Sequence, residues 1–172
     1  MCFTTFKRRV EAEFSAIPCI PPLITAGICL VLAVLVCVTG KNSYYQLFYD
    51  FPKGTPPLLL RAFLEGLFYA ILGFSLGVFL FSKRLCKEDC YRQTALLFVC
   101  AVFVSYAHTI AVYRAGALFF GFLLSLLLFI CLLTLFFTLK DRCFLSAVGI
   151  FLCFFRSFYI IYQTLAIFLL NA

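Results

Sequence analysis

The chain is organised as five long apolar runs separated by shorter polar segments. Each run has 20 residues or more and shows no alternation of apolar and polar positions, so it predicts a helix rather than a strand. About 20 helical residues span the hydrocarbon of a bilayer, and only helices and closed barrels satisfy every backbone polar group there. The pattern therefore predicts an all-α fold, a single bundle of five transmembrane helices over residues 1–172. The predicted helices are 19–39, 57–81, 94–113, 115–139 and 143–170.

Composition supports a membrane environment. Hydrophobic residues make up 65% of the chain and charged residues 12%, and a soluble domain of this length cannot bury so large an apolar fraction. We therefore expect the lipid bilayer to be the principal partner. In a soluble chain, a net charge of +7 would suggest nucleic acid as a binding partner. Here the basic residues lie between apolar runs, as the positive-inside rule describes, and we expect no nucleic-acid partner.

The basic residues also predict an orientation. If the N-terminus is inside, the inner segments hold nine Lys and Arg residues and the outer segments hold three. Positive charge is retained on the cytoplasmic side, so we expect a cytoplasmic N-terminus, an outer C-terminus and an outer first loop, in a bacterial cytoplasmic membrane. The nine inner residues are Lys7, Arg8, Arg9, Lys83, Arg84, Lys87, Arg92, Lys140 and Arg142, and the three outer ones are Lys41, Lys53 and Arg114.

The ten cysteines do not form a recognisable metal or disulfide framework. Most lie in or at the ends of apolar runs, where cysteine behaves as a small hydrophobe, and we expect reduced thiols. Cys86 and Cys90 share a polar segment, but no second ligand pair stands near them, so neither zinc nor another cofactor is expected. No nucleophile elbow, P-loop, zincin motif or carboxylate pair occurs, so the sequence does not indicate an enzyme.

A few charged or titratable residues lie inside the apolar runs, where charge is costly and marks candidate functional positions. Arg61 and Glu65 are four residues apart on one face of the second run, with Tyr69 one turn further. His108 lies in the third run beside Ser105 and Thr109. For Arg61 and Glu65 the alternative is a local salt bridge near the interface, and for His108 it is a core histidine with a satisfied hydrogen bond.

Arg156 lies near the middle of the fifth run, with Gln163 two turns away on the same face. An arginine at this depth cannot easily extend to the interface, so it needs an acidic or carbonyl partner. A purely structural counter-ion is the alternative interpretation. Glu65 is the only acidic residue inside an apolar run. The sequence therefore predicts that Glu65 and Arg156 form a pair, directly or through water.

The segment from Tyr44 to Gly73 resembles the signature of the TspO/MBR family, which comprises translocator proteins and tryptophan-rich sensory proteins. Five predicted helices, a long first loop and a length of 172 residues also fit that family, and Asn171 matches its terminal asparagine. Tyr45 stands where the family has tryptophan. The positions at the family spacing are Pro52, Pro56, Pro57, Tyr69 and Gly73.

The resemblance implies a receptor for tetrapyrroles such as protoporphyrin, with a ligand pocket inside the bundle. Two family tryptophans that line this pocket fall at Glu65 and Arg156, so an acid and a base replace both together. The chain contains no tryptophan. Because porphyrin photodegradation in the family is tied to those tryptophans, we do not expect it here. Some members bind sterols, but no basic residue follows Arg156 in the last helix, so we do not expect a sterol ligand.

The leading hypothesis is a TspO-like membrane receptor that binds a planar amphipathic or anionic ligand, of the tetrapyrrole type, and moves it across or along the membrane. We expect a homodimer, with first-loop aromatic residues as a lid over the pocket (Tyr44, Tyr45, Phe48, Tyr49 and Phe51). Two alternatives stay open: a small transporter with a relay of Glu65, His108 and Arg156, and an accessory subunit of a membrane complex. The predicted ligand-binding residues are Tyr45, Pro56, Arg61, Glu65, Tyr69, Ser105, His108, Arg156, Tyr159 and Gln163.

Overall fold

The computed structural model describes residues 20–40, 49–82 and 88–171, and within these ranges the chain is helical with no strand. The described residues form five helices, as the hydrophobic pattern predicts. The all-α prediction is therefore confirmed. The helices are α1 (Ile20–Gly40), α2 (Leu58–Phe81), α3 (Glu88–Tyr113), α4 (Leu118–Leu139) and α5 (Phe144–Asn171).

Four of these helices, α2 to α5, are long and apolar enough to cross a membrane. The apolar stretch of α1 runs over Ile20–Val36 and is shorter than the four others. Large apolar side chains remain exposed on all five helices, among them Leu59, Phe103 and Leu169. Because water would not tolerate so much apolar surface, the chain is a membrane protein.

Two helix boundaries differ from the prediction. Helix α3 begins at Glu88 rather than residue 94, because the helix continues through a polar turn that hydropathy alone assigns to the loop. Helix α4 begins at Leu118 rather than residue 115. The chain reverses at Gly116, whose φ of 65° lies in the left-handed region, so residues 114–117 form the turn and cannot belong to either helix.

The helices pack as a ring in the order α1, α2, α5, α4, α3, and α3 returns to contact α1. The apolar core lies inside this ring and includes Leu72, Phe79, Phe98, Leu132 and Ile150. Consecutive helices run in opposite directions. One end of the bundle therefore gathers the start of α2 with the ends of α3 and α5, and we call it the first-loop end because the loop before α2 lies there.

Small residues allow α2 to approach its two neighbours closely. A Cβ atom on Gly77 would meet Thr25 Oγ1 and lie 2.6 Å from Pro22 Cα in α1, and one on Gly149 of α5 would meet Ser75 Oγ in α2. Where α5 contacts α2, Ser146 of α5 donates a hydrogen bond to the carbonyl oxygen of Ser75 (2.8 Å). Close backbone contact and hydrogen bonds between helices replace the hydrophobic driving force that is missing in lipid.

Candidate functional site

The charged residues inside the apolar runs converge at the first-loop end, between α2, α3 and α5. Arg156 Nη2 lies 3.9 Å from Glu65 Oε2, and the two side chains are only 15% and 16% exposed. The predicted pairing of Glu65 with Arg156 is confirmed. At this distance the contact is an ion pair without a direct hydrogen bond. Thr109 of α3 donates a hydrogen bond to Glu65 Oε1 (3.3 Å).

Arg61 lies beside this pair and is held by aromatic rings. Its guanidinium carbon is 4.5 Å from the centre of the Phe51 ring and 5.9 Å from that of Tyr113, which are favourable cation–π distances. Its charge also acts on Glu65. Within the described residues, the ion-pair partner of Glu65 at 4 Å or less is Arg156 and not Arg61, so the local salt bridge is not the arrangement found.

Tyr159 completes the cluster from α5. The guanidinium carbon of Arg156 lies 4.9 Å from the centre of the Tyr159 ring. The Tyr113 hydroxyl is within electrostatic range of both arginines, of Glu65 and of Tyr159. These residues therefore form one group, which we call the arginine site and which consists of Arg61, Glu65, Tyr113, Arg156 and Tyr159.

Several buried donors at this end have no hydrogen-bond partner within the described residues. They are Arg61 Nη1, Nε and Nη1 of Arg156, and Gln163 Nε2. The Gln163 side chain lies two turns from Arg156 on α5 and is 4% exposed. A buried donor that stays unpaired is costly, and native proteins contain few of them. Their concentration in one place distinguishes this region from the apolar core below it.

Tyr69 and Ser105 lie behind Glu65 and do not line the arginine site. The Tyr69 ring is 2% exposed and stacks on Tyr106 at 4.7 Å. Its hydroxyl group is 3.1 Å from the Ser105 carbonyl oxygen and 3.0 Å from Thr109 Oγ1. The Ser105 hydroxyl donates to carbonyl oxygens of its own helix. Tyr69 thus positions Thr109, which in turn contacts Glu65.

His108 is buried and bonded elsewhere. Its Nε2 lies 3.1 Å from Thr164 Oγ1, and Thr164 donates its own proton to the Ile160 carbonyl oxygen at 2.7 Å. The His108 ring therefore has a hydrogen-bond partner inside the bundle. The hydrogen bonds of His108 and Glu65 run to different threonines. The arrangement matches the core-histidine alternative.

The described part of the first loop, from Tyr49 onward, is joined to this end of the bundle by hydrogen bonds. The Asp50 amide donates to Asn171 Oδ1 (3.0 Å), and Asn171 Nδ2 donates to the Asp50 carbonyl oxygen (3.1 Å). Tyr49 donates to the carbonyl oxygen of Val112 (3.1 Å). Pro56 is half-buried just before α2. Of the predicted lid, Tyr49 and Phe51 lie here, whereas Tyr44, Tyr45 and Phe48 fall outside the described residues.

Sequence reasoning placed Thr109 beside His108 but not beside Glu65, and it missed Tyr113 and Thr164. The signal for Thr109 and Tyr113 is their spacing, because they follow Ser105 by one and two turns on the same face of α3. Nothing in the sequence shows which face of α3 meets α2. Thr164 is adjacent to Gln163, but its link to His108 requires the packing of α5 against α3.

An open groove of about 610 Å³ lies at the opposite end of the bundle, and the sequence did not predict it. It runs between the start of α3 and the end of α4 and combines apolar with polar side chains. It does not contain the charged residues of the arginine site. The lining residues are Gln93, Leu133, Thr134, Phe137, Thr138, Asp141 and Arg142.

Comparison with known proteins assigns no family to the chain. The chain matches no protein-family model and no curated protein. The resemblance to the TspO/MBR family therefore stays a prediction from the sequence. What the structure defines is a class: a helical membrane protein with a buried, charged site at one end of its bundle.

Proposed function

We propose that this chain is a membrane receptor that binds a planar amphipathic molecule, of the tetrapyrrole type, between α2, α3 and α5 at the first-loop end. The observation that carries the proposal is the arginine site, where buried donors without partners lie among aromatic rings. Polar groups placed among aromatic and apolar side chains are typical of ligand sites.

The aromatic rings of the site favour a flat ligand. Phe51 and Tyr113 flank Arg61, and Tyr159 lies against Arg156. Aromatic side chains bury large apolar areas and stack against other ring systems. A planar macrocycle with a polar edge would contact the rings with its faces and the unpaired donors with its edge.

The first loop supports binding from the end of the bundle. The exchange of hydrogen bonds between Asp50 and Asn171 joins the loop to the last turn of α5, and Phe51 contacts Arg61. The two hydrogen bonds between Asp50 and Asn171 are exposed, so they can break at low cost. Opening of this segment would give a ligand access to the arginine site.

Titration with protoporphyrin IX tests the proposal. We expect the purified protein in nanodiscs of zwitterionic lipid to shift the Soret band in a saturable way, whereas empty nanodiscs should take up the porphyrin without saturation. Arg156→Met should weaken binding at least about tenfold, the effect of losing hydrogen bonds from a charged group. Lys140→Met is the matched control, because it removes one positive charge from an exposed position at the opposite end.

Equal uptake by protein-loaded and empty nanodiscs would contradict the proposal. Movement of the ligand is tested separately in proteoliposomes loaded with a porphyrin-binding acceptor. Accumulation inside that depends on the protein would add transport to binding, and uptake equal to that of empty liposomes would limit the function to reception.

A further inference from the structure

We infer that the arginine site is a carboxylate subsite: it holds a single negatively charged group of the ligand against Arg156, with Gln163 as a second donor. The inference rests on the proposed function and names the chemistry that the ligand must carry. It follows from the charges of the site, the directions of its donors and the position of Gln163.

The first step is the charge of the site. Arg61 and Arg156 contribute two positive charges and Glu65 contributes at most one negative charge, so these three side chains leave at least one positive charge in a low-dielectric interior. An uncompensated charge inside a membrane is costly, and one negative group would balance it. A cationic ligand would instead bring a third positive charge beside two arginines, so amines are excluded as the class.

The second step is the geometry of Arg156. The guanidinium carbon of Arg156 lies 4.9 Å from the centre of the Tyr159 ring. The N–H bonds of a guanidinium group lie in its own plane and point outward from its edges. Nη2 is the atom nearest to Glu65, at 3.9 Å, while Nε and Nη1 have no partner within the described residues. A carboxylate binds a guanidinium bidentately either at Nε and Nη2 or at Nη1 and Nη2. Both modes share Nη2 with Glu65, and the 3.9 Å contact of Nη2 with Glu65 is too long for a hydrogen bond, so it leaves either mode available.

The third step is Gln163, whose amide nitrogen is buried and has no partner in the described part of the chain. It lies seven residues beyond Arg156 on α5, which is about 10 Å along the helix axis and on the same face. An anionic group between the two side chains would accept hydrogen bonds from both. Glu65 then has a defined role: it orients Arg156 and limits the site to one added negative charge.

A matched pair of flat probes tests the subsite. We compare 1-pyrenebutyrate with 1-pyrenebutanol, which share the ring system and differ in the carboxylate, by thermal shift of the protein in phosphatidylcholine nanodiscs. The stabilisation reports affinity through ligand concentration relative to Kd. We expect the acid to bind about 10- to 150-fold more tightly than the alcohol, the range for hydrogen bonds to charged groups.

Variants assign this preference to named residues. Arg156→Met and Arg156→Lys should both reduce the acid-over-alcohol ratio, because lysine keeps the charge but loses the planar fork. Gln163→Leu should reduce it less. Glu65→Gln should increase the ratio, since the competing carboxylate is gone. Lys140→Met, at the opposite end, should leave it unchanged.

The outcomes separate the two proposals. If acid and alcohol stabilise the protein equally, the carboxylate subsite is refuted while reception of planar ligands stands. If neither probe stabilises it, both proposals fail. In nanodiscs that contain phosphatidylglycerol, loss of the acid preference would identify an acidic lipid headgroup as the occupant. Persistence of the preference would identify a free amphiphile. Both results support an anion subsite.

Discussion

At the residue scale, the Glu65–Arg156 pair could be predicted because the chain offers one intramembrane acid for an arginine that cannot reach the interface. The same reasoning placed Thr109 beside His108 but could not show that it contacts Glu65. Threonine is common on lipid-facing and packed helix surfaces alike, and only the rotation of α3 against α2 brings this one to Glu65. The Tyr69 hydroxyl lies 3.0 Å from Thr109 Oγ1, and its contact with a ligand stays a prediction.

A double-mutant cycle measures the coupling of the pair. Glu65→Gln and Arg156→Met should each lower thermal stability in detergent, because each leaves an unmatched partner in a mostly buried position. The double variant should be milder than the sum of the two, with a coupling energy of about 0.5–3 kcal/mol. If the two effects simply add, Glu65 and Arg156 do not interact in the folded protein.

Porphyrin photochemistry gives a second test at this scale. The chain has no tryptophan, and the resemblance to the TspO/MBR signature predicts that Glu65 and Arg156 stand where that family has pocket tryptophans. We expect illuminated protoporphyrin to lose its Soret band no faster with the protein than with empty nanodiscs. Rapid, protein-dependent bleaching into a discrete product would show that this chemistry does not need tryptophan here.

At the scale of the helices, the hydrophobic pattern placed α1, α2 and α5 within one residue at each end. It misplaced the start of α3, where a helix extends through polar residues, and the start of α4, where Gly116 reverses the chain. Hydropathy records which residues prefer lipid. It does not record where backbone hydrogen bonding begins, and for that reason the predicted starts of α3 and α4 were wrong.

Close packing of α2 against α1 predicts a sharp difference between two glycines. Gly77→Ala should lower stability by about 1–3 kcal/mol, the usual cost of overpacking, because the new methyl group meets backbone of Pro22 as well as Thr25. Gly27→Ala in α1 is the control, since its Cβ would have nothing within 4 Å and alanine favours helix. Thermal unfolding in detergent compares them. Equal effects of the two substitutions would mean that α1 and α2 are not in close contact at Gly77.

At the scale of the whole molecule, three of the spans long enough to cross a membrane, α2, α3 and α4, separate Asp50 from Asp141. The distribution of Lys and Arg predicts that Asp50 lies outside and Asp141 inside. Both residues are exposed, so reporters fused at these positions in the full chain measure topology. We expect the two reporters on opposite sides of the membrane, with Asp50 outside, and finding both on one side would refute the arrangement of spans.

The ring order of the helices could not be read from the sequence, yet it determines the site. Helices α2, α3 and α5 are not all neighbours in the chain, and their convergence at one end brings Arg61, Thr109 and Arg156 into one region. Hydrophobic periodicity identifies buried faces but not the partner of each face. The position of the site is therefore a property of the packed bundle.

The central claim is that a planar amphiphile binds at the arginine site, and an experimental structure of the protein with protoporphyrin IX bound tests it most directly. We predict density for the macrocycle between α2, α3 and α5, with a propionate against Arg156 and Phe51 over the outer edge. Density in the groove at the opposite end, beside Thr138 and Arg142, or only on the lipid-facing surface, would contradict the claim.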